Sequence, residues 1–176
     1  MMIPFAIGKY GVYLGTDVLG NPLIIAFSGF QTEAEETYLL EGEWAAGTFA
    51  VRPDMQIGPS FIMPRDAILR TVYVLFHTVY DITFEAGAII QPFVCLAVSN
   101  PEDFIFTILP DTLTFTDTYT GGVDYPPHAN RSGSLTNLNI AVPEGTVVAI
   151  VAGIMAQNIT AAVNGKFSIS GSLFFE

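Results

Sequence analysis

Positive charge, cysteine and histidine are all scarce in this chain. Six Lys and Arg face 17 Asp and Glu, leaving a net charge of -11 over 176 residues. Nucleic-acid affinity comes mainly from cations that neutralise phosphates, and anionic membrane surfaces attract the same side chains. Neither partner is expected. The single cysteine, Cys95, excludes a disulfide scaffold. With only His77 and His128 beside it, the Cys/His clusters of structural zinc are excluded as well, and no cofactor is expected. No run approaches the ~18 apolar residues of a spanning helix. The 16 Gly and 11 Pro show no three-residue period, which excludes a collagen-like chain. The N-terminus, Met1-Met2-Ile3-Pro4-Phe5-Ala6, lacks a basic n-region and is interrupted by Gly8-Lys9. No Sec signal is read there, and synthesis in the cytoplasm is expected.

What is present is apolar. Hydrophobic residues make up 51% and charged residues 13%, about half the usual ~25% share, so disorder is excluded. A chain of this mass buries about 70% of its surface on folding, enough for one core, and residues 1–176 are read as one domain. Low charge with much apolar surface suits obligate subunit interfaces, which resemble a domain core cut in half. An oligomer or polymer is expected.

Short apolar runs with period-2 alternation dominate, and sustained 3.6 periodicity is nearly absent. The clearest strand is Ile68 to Phe76. Its even positions carry Ile68, Val72, Val74 and Phe76, its odd positions Leu69, Thr71, Tyr73 and Leu75. Further runs are Pro22 to Phe27, Thr48 to Val51, Ile89 to Val98, Phe104 to Leu109, Thr112 to Phe115, Leu135 to Ala141 and Thr146 to Ala152. At the C-terminus, Asn164-Gly165 between Ile159–Val163 and Lys166–Ile169 predicts a two-residue hairpin. Pro92 predicts that its strand is an edge or is bulged. Thr32 and Glu35 have capping-box spacing, so Thr32 to Leu40 is either one short helical turn or an acidic loop. About ten short strands with regular turns predict an all-β fold, an antiparallel sandwich or jelly roll.

Catalytic machinery is hard to assemble from this inventory. No GxGxxG, P-loop or HExxH spacing occurs. His77 follows the strongest strand and reads as a structural histidine, whereas His128 follows Tyr125-Pro126-Pro127 and reads as a solvated loop residue. Cys95 lies in an apolar strand, where a thiol behaves as a small hydrophobe. The loop Thr116 to Asp124 offers oxygens to calcium but lacks EF-hand spacing, and turn chemistry accounts for its aspartates. Glu33, Glu35, Glu36, Glu41 and Glu43 read as a solvated acidic face. No enzyme is expected.

Three stretches resemble a known family. Ile3-Pro4-Phe5-Ala6-Ile7-Gly8 is similar to the IPFASG opening of the C-terminal domain of BclA/BclB-type collagen-like glycoproteins of the exosporium, the outer coat of bacterial spores. Phe61-Ile62-Met63-Pro64-Arg65-Asp66-Ala67-Ile68 resembles that domain's F-x-VPRDG-T-I element, and Gly165-Lys166-Phe167-Ser168-Ile169-Ser170-Gly171-Ser172-Leu173 its closing strand. The resemblance implies a jelly roll like those of tumour necrosis factor and complement C1q, assembled as a homotrimer and without catalysis. Pro64, Arg65 and Asp66 would then form a turn opening the core strand, with Arg65 a partner for an acid. No Gly-X-Y segment lies within these 176 residues, which would fit either an excised domain or a stand-alone member. Met1 to Gly11 would be either the first strand of its own jelly roll or a strand added to a neighbour's sheet edge, which builds filaments.

Two functions follow as expectations. The first is a structural, self-assembling spore-surface protein of the coat, exosporium or an appendage, made in the mother cell without a Sec signal. Its partners would be other copies of itself and other spore-coat proteins. Its contacts would draw on Phe5, Tyr73, Leu75, Phe104, Phe106, Phe174 and Phe175, any of which could instead be intrasubunit core. The second is a trimeric head that binds carbohydrate or a host surface, stacking a sugar on Trp44, Tyr119 or Tyr125.

Overall fold

The computed structural model describes residues 1–31, 36–52, 60–102 and 105–176. The chain is an all-β antiparallel jelly-roll sandwich. Its eight long strands are β1 (Met2–Thr16), β2 (Pro22–Ser28), β3 (Ala67–Thr78), β4 (Ile89–Ser99), β5 (Ile105–Phe115), β6 (Asn130–Leu135), β7 (Val147–Gln157) and β8 (Asn164–Phe175). Eight segments of two or three residues bring the described strands to sixteen, above the ten or so expected. One sheet runs β6-β3-β8-β1 and the other β2-β7-β4-β5. First and last strands are neighbours, as are second and seventh, which is the rolled order of two Greek keys.

The two sheets approach each other at both corners. At one, Gly15 stands opposite Ile24 and Thr16 opposite Pro22, so β1 and β2 are hydrogen-bonded. At the other, β6 lies against the end of β5. A Cβ on Gly133 would stand 2.0 Å from the Phe115 carbonyl oxygen, so only glycine permits that approach.

Between the sheets lies the main core, with Phe5, Leu14, Leu69, Phe76, Phe167 and Phe175 among its buried side chains. A second apolar cluster lies on the far side of the β2-β7-β4-β5 sheet. Phe27, Phe93, Cys95, Phe106 and Val151 are buried there beneath the excursion that follows β2. That excursion carries Thr37–Tyr38, a four-residue helix α1 (Glu43–Ala46) and Thr48–Ala50. Trp44 of α1 packs on Phe93 with ring centroids 5.1 Å apart. Burial of an aromatic side chain removes 150–250 Å² from water, worth about 4–6 kcal/mol gross at ~25 cal/mol per Å². The excursion thus covers much of one outer face of the sandwich, leaving Phe115 42% exposed at its end.

The same device appears in both sheets. Phe5 stands opposite Gly171, and Phe93 opposite Gly153. Each ring lies across the glycine it faces, since a Cβ on Gly171 would be 2.4 Å from Phe5 Cζ and one on Gly153 would be 2.6 Å from Phe93 Cζ. An aromatic ring laid over a strand glycine supplies the packing that the glycine lacks.

Several sequence expectations change. Asn164-Gly165 is not a hairpin turn, because both residues are paired within β8, opposite Gly15 and Leu14 of β1. Strands β7 and β8 belong to different sheets, so the chain must cross between them over residues 158–163, where Ile159 to Val163 forms no strand. Gly165 serves close packing instead, with Ile82 Cδ1 at 2.8 Å from where its Cβ would stand. Pro92 is not on an edge. Strand β4 runs between β7 and β5, and the irregularity is on β5, where the register jumps from Leu109 to Thr114. Phe104 and the capping-box residues 32–35 lie outside the described residues; beyond them, Thr37–Tyr38 is a short strand and the helix begins at Glu43. Leu135 to Ala141 is split by a turn at Asn137, φ 60. In β3 the buried set is Ala67 and Leu69, then Val72, Val74, Phe76 and Thr78. A bulge opposite Phe174 and Phe175 shifts the alternation by one residue. The Pro64-Arg65-Asp66 turn is tied through Asp66, whose carboxylate accepts the Glu144 N–H at 2.8 Å.

Candidate assembly surface

A sandwich has two outer faces, and among the described residues the chain's own excursion covers one of them. The outer face of the β6-β3-β8-β1 sheet carries no covering segment among the described residues. Its residues follow from register, since alternate positions share a face. One row is Met2, Phe174 and Thr71. The next is Pro4, Ser172, Tyr73 and Ser134, then Ala6, Ser170, Leu75 and Ser132, then Ser168, His77 and Asn130. The intervening rows point inward and include Phe5, Ile7, Ile169, Val74 and Phe76, all buried.

None of those outward residues is Asp, Glu, Lys or Arg. Net charge -11 is therefore carried elsewhere, on acids such as Glu41, Asp66, Glu85, Asp124 and Glu144 that lie outside the eight long strands. At one end of this face Arg70, beside Thr71 in the β3 bulge, pairs with Glu176 at 2.7 Å, and at the other Lys166 stands opposite Tyr13. Its ammonium sits 5.3 Å from the Tyr13 ring centroid and 5.4 Å from that of Tyr80. Met2 is 68% exposed, Tyr73 52% and Phe174 43%, with Leu75 half-buried. A charge-depleted centre with exposed aromatics is the compositional signature of a subunit contact rather than of a solvated surface.

Of the residues expected at subunit contacts, Tyr73, Leu75 and Phe174 share this face. Phe5 and Phe175 do not, being 2% and 0% exposed between the sheets. Phe106 is 2% exposed in the second cluster, stacked on Phe49 at 5.7 Å and 10°. These three are intrasubunit core. Alternation marks two faces of a strand but not which of them a neighbour covers. Sequence reasoning missed Met2, Pro4 and the serines of β6 and β8, because isolated serines read as solvated; the Ser168-Ile169-Ser170 alternation beside Leu173 was the available signal.

The expected sugar-stacking aromatics are engaged inside the chain. Tyr119 is 0% exposed, its hydroxyl donating to the Ala129 carbonyl at 2.7 Å, with the Arg131 guanidinium 4.4 Å above its ring. Burial pushes its phenol up to about 12, the Arg131 charge opposing and Tyr125 adding to the shift. Tyr125 is half-buried edge-on against Tyr119 and accepts the Thr120 N–H at 2.9 Å. It also lines an open hollow of about 440 Å³ with Asp81, Thr83 and Asp124. Trp44 is half-buried on Phe93.

The remaining candidates fall in different places. Cys95 is 1% exposed, and burial pushes its thiol well above the usual range. Glu43 is not merely solvated, since it pairs with Arg52 at 3.0 Å and accepts the Leu40 N–H at 2.6 Å. Among the described residues no group of three or more His, Cys, Asp or Glu could hold a metal ion, and no helix is long and apolar enough to cross a membrane. His77 and His128, 51 positions apart, are brought together with ring centroids 5.4 Å apart. Burial holds the His77 imidazole below its usual value, and repulsion from His128 lowers it further. Nothing local in the sequence signals that pairing. No protein-family model matches this chain, and no curated protein matches it.

Proposed function

We propose that this chain is a structural, self-assembling subunit whose copies meet through the outer face of the β6-β3-β8-β1 sheet. The observation that carries the reading is that face itself, which is uncovered, charge-depleted across four registered rows and studded with Tyr73, Leu75 and Phe174. The opposite outer face is already occupied by the chain's own excursion. Removal of the exposed aromatics from water drives the association, while the acids elsewhere keep the assembled particle solvated.

A closed homotrimer is the assembly that the exosporium-type resemblance implies, and a spore-surface location and a non-catalytic role rest on that resemblance as well. β1 pairs with β8 of its own chain, with Phe5 and Ile7 buried, which supports a closed particle over a strand-exchange filament. The alternative of a carbohydrate-binding head retains only Tyr125, beside Asp81 and Asp124 at the open hollow. Negative-stain electron microscopy of the purified chain tests the reading. Uniform compact particles larger than one subunit are expected; dispersed single chains would overturn it, and filaments would replace the closed form by an open one. Immunogold labelling of intact spores from the source tests the location. Label at the spore surface is expected, and label confined to the vegetative cytoplasm would refute it.

A further inference from the structure

The only two histidines of the chain meet at the edge of the sandwich, and the turn that brings them together is tied down. Thr78, the residue after His77, is 0% exposed. Its hydroxyl donates to the Pro126 carbonyl at 2.7 Å and accepts the Ala129 N–H at 3.0 Å. Its carbonyl accepts the His128 N–H at 2.8 Å. The turn over residues 126–129 is thus clamped on the strand that carries His77, and His128 takes a left-handed backbone, φ 65, to stay there. Such a conformation is uncommon away from glycine and marks a position set by its surroundings. Asn130 and Ser168 flank His77 in register, so neutral neighbours surround the pair on the sheet. His128 is exposed, which leaves the space beside the rings open to solvent.

We infer that His77 and His128 form a two-imidazole site for a borderline divalent cation such as Ni²⁺, Zn²⁺ or Cu²⁺. Imidazole nitrogen suits these metals, while Mg²⁺ and Ca²⁺ require oxygen donors that this spot does not concentrate. A metal about 2.0–2.1 Å from one nitrogen of each ring places two centroids roughly 5 Å apart at near-tetrahedral angles, and the rings stand at 5.4 Å. Two protein ligands leave the other positions to water, so the site is an exchangeable surface chelate rather than a folding-obligatory one. His77 stands in the fourth row of the proposed assembly face, so the site shares the margin of that face, and binding is read on the chain in whatever assembly it forms.

Calorimetric titration of the untagged chain with nickel chloride tests this. One saturable Ni²⁺ per chain is expected, undisturbed by excess Mg²⁺. His128→Asn, which tolerates the left-handed backbone, and His77→Gln should each weaken binding by at least the roughly tenfold that losing even an outer-shell partner costs a metal site. Thermal melting of both variants checks folding, and His128→Asn alone suffices if His77→Gln melts early. Absence of saturable binding, or wild-type binding in His128→Asn, would overturn the inference.

Discussion

Gly171→Ala adds a single carbon atom where the core packs most directly on a strand glycine of the inner rows. Gly171 stands between Phe5 of β1 and Val74 of β3. An added Cβ would lie 2.4 Å from Phe5 Cζ and 2.1 Å from the Tyr73 carbonyl oxygen. The ring could yield only by leaving a site where it is 2% exposed, and the carbonyl belongs to the adjoining strand. Overpacking a core costs about 1–3 kcal/mol, and a clash with backbone puts this variant at the upper end, about 3 kcal/mol. For a chain of this length each kcal/mol moves Tm by about 2–4 °C, so a fall of roughly 6–12 °C is expected. Phe5→Ala alone should cost about 3–5 kcal/mol through the cavity it leaves. Removing the ring also removes half of the clash, so the double variant should fall short of the sum by about 0.5–3 kcal/mol, read by urea denaturation. A Gly171→Ala loss within about 0.5 kcal/mol, the usual range for surface changes, would refute the placement of Phe5 across β8. Strict additivity in the double variant would refute it equally.

Other outcomes follow from buried groups. The Cys95 thiol should resist alkylation in the native chain and react fully once unfolded, since burial suppresses both access and the thiolate; rapid native labelling would contradict its place under the excursion. Tyr119 should ionise late, near 12, as the last absorbance step in an alkaline titration. Because its folded pKa is raised, that group's contribution to stability is complete below the unfolded value of about 10 and is lost as pH climbs through 12. Tyr119→Phe should remove both the late step and that part of the alkaline slope. Trp44→Ala should destabilise by about 3–5 kcal/mol at most, less in proportion to its half-exposure, and should raise dye binding by uncovering Phe93; an unchanged melt would show that the excursion is not a cover.

Fold class was legible because period-2 patterning and turn residues are local signals, and six of the eight long strands overlap runs named from that patterning; β6 overlaps at Leu135 alone, and β1 was named only as the Met1 to Gly11 segment weighed with the family resemblance. Failures came where tertiary context overrides a local rule. Asn164-Gly165 has hairpin chemistry, yet the sheet change between β7 and β8 moves the connection upstream and leaves Gly165 as a packing residue under Ile82. Pro92 is tolerated inside a sheet beside an irregular partner strand. The bulge in β3 cannot be read from Leu69-Arg70-Thr71-Val72, because it arises from register with Phe174 and Phe175. Of the fourteen residues in the four outward rows, Tyr73, Leu75 and Phe174 were legible as contact candidates. The serines opposite them were not, since only register shows that they extend one continuous uncharged surface.

The central claim is that copies meet through that surface. Sedimentation velocity of the wild-type chain beside Tyr73→Lys tests it most directly, because Tyr73 is 52% exposed and its replacement removes no core packing. A lysine buried at the centre of a contact without a partner is strongly unfavourable. The account predicts an oligomer for the wild type and the 19.0 kDa single chain for the variant, with unchanged circular dichroism. A wild type that sediments as a single chain, or a variant that assembles as the wild type does, would contradict it.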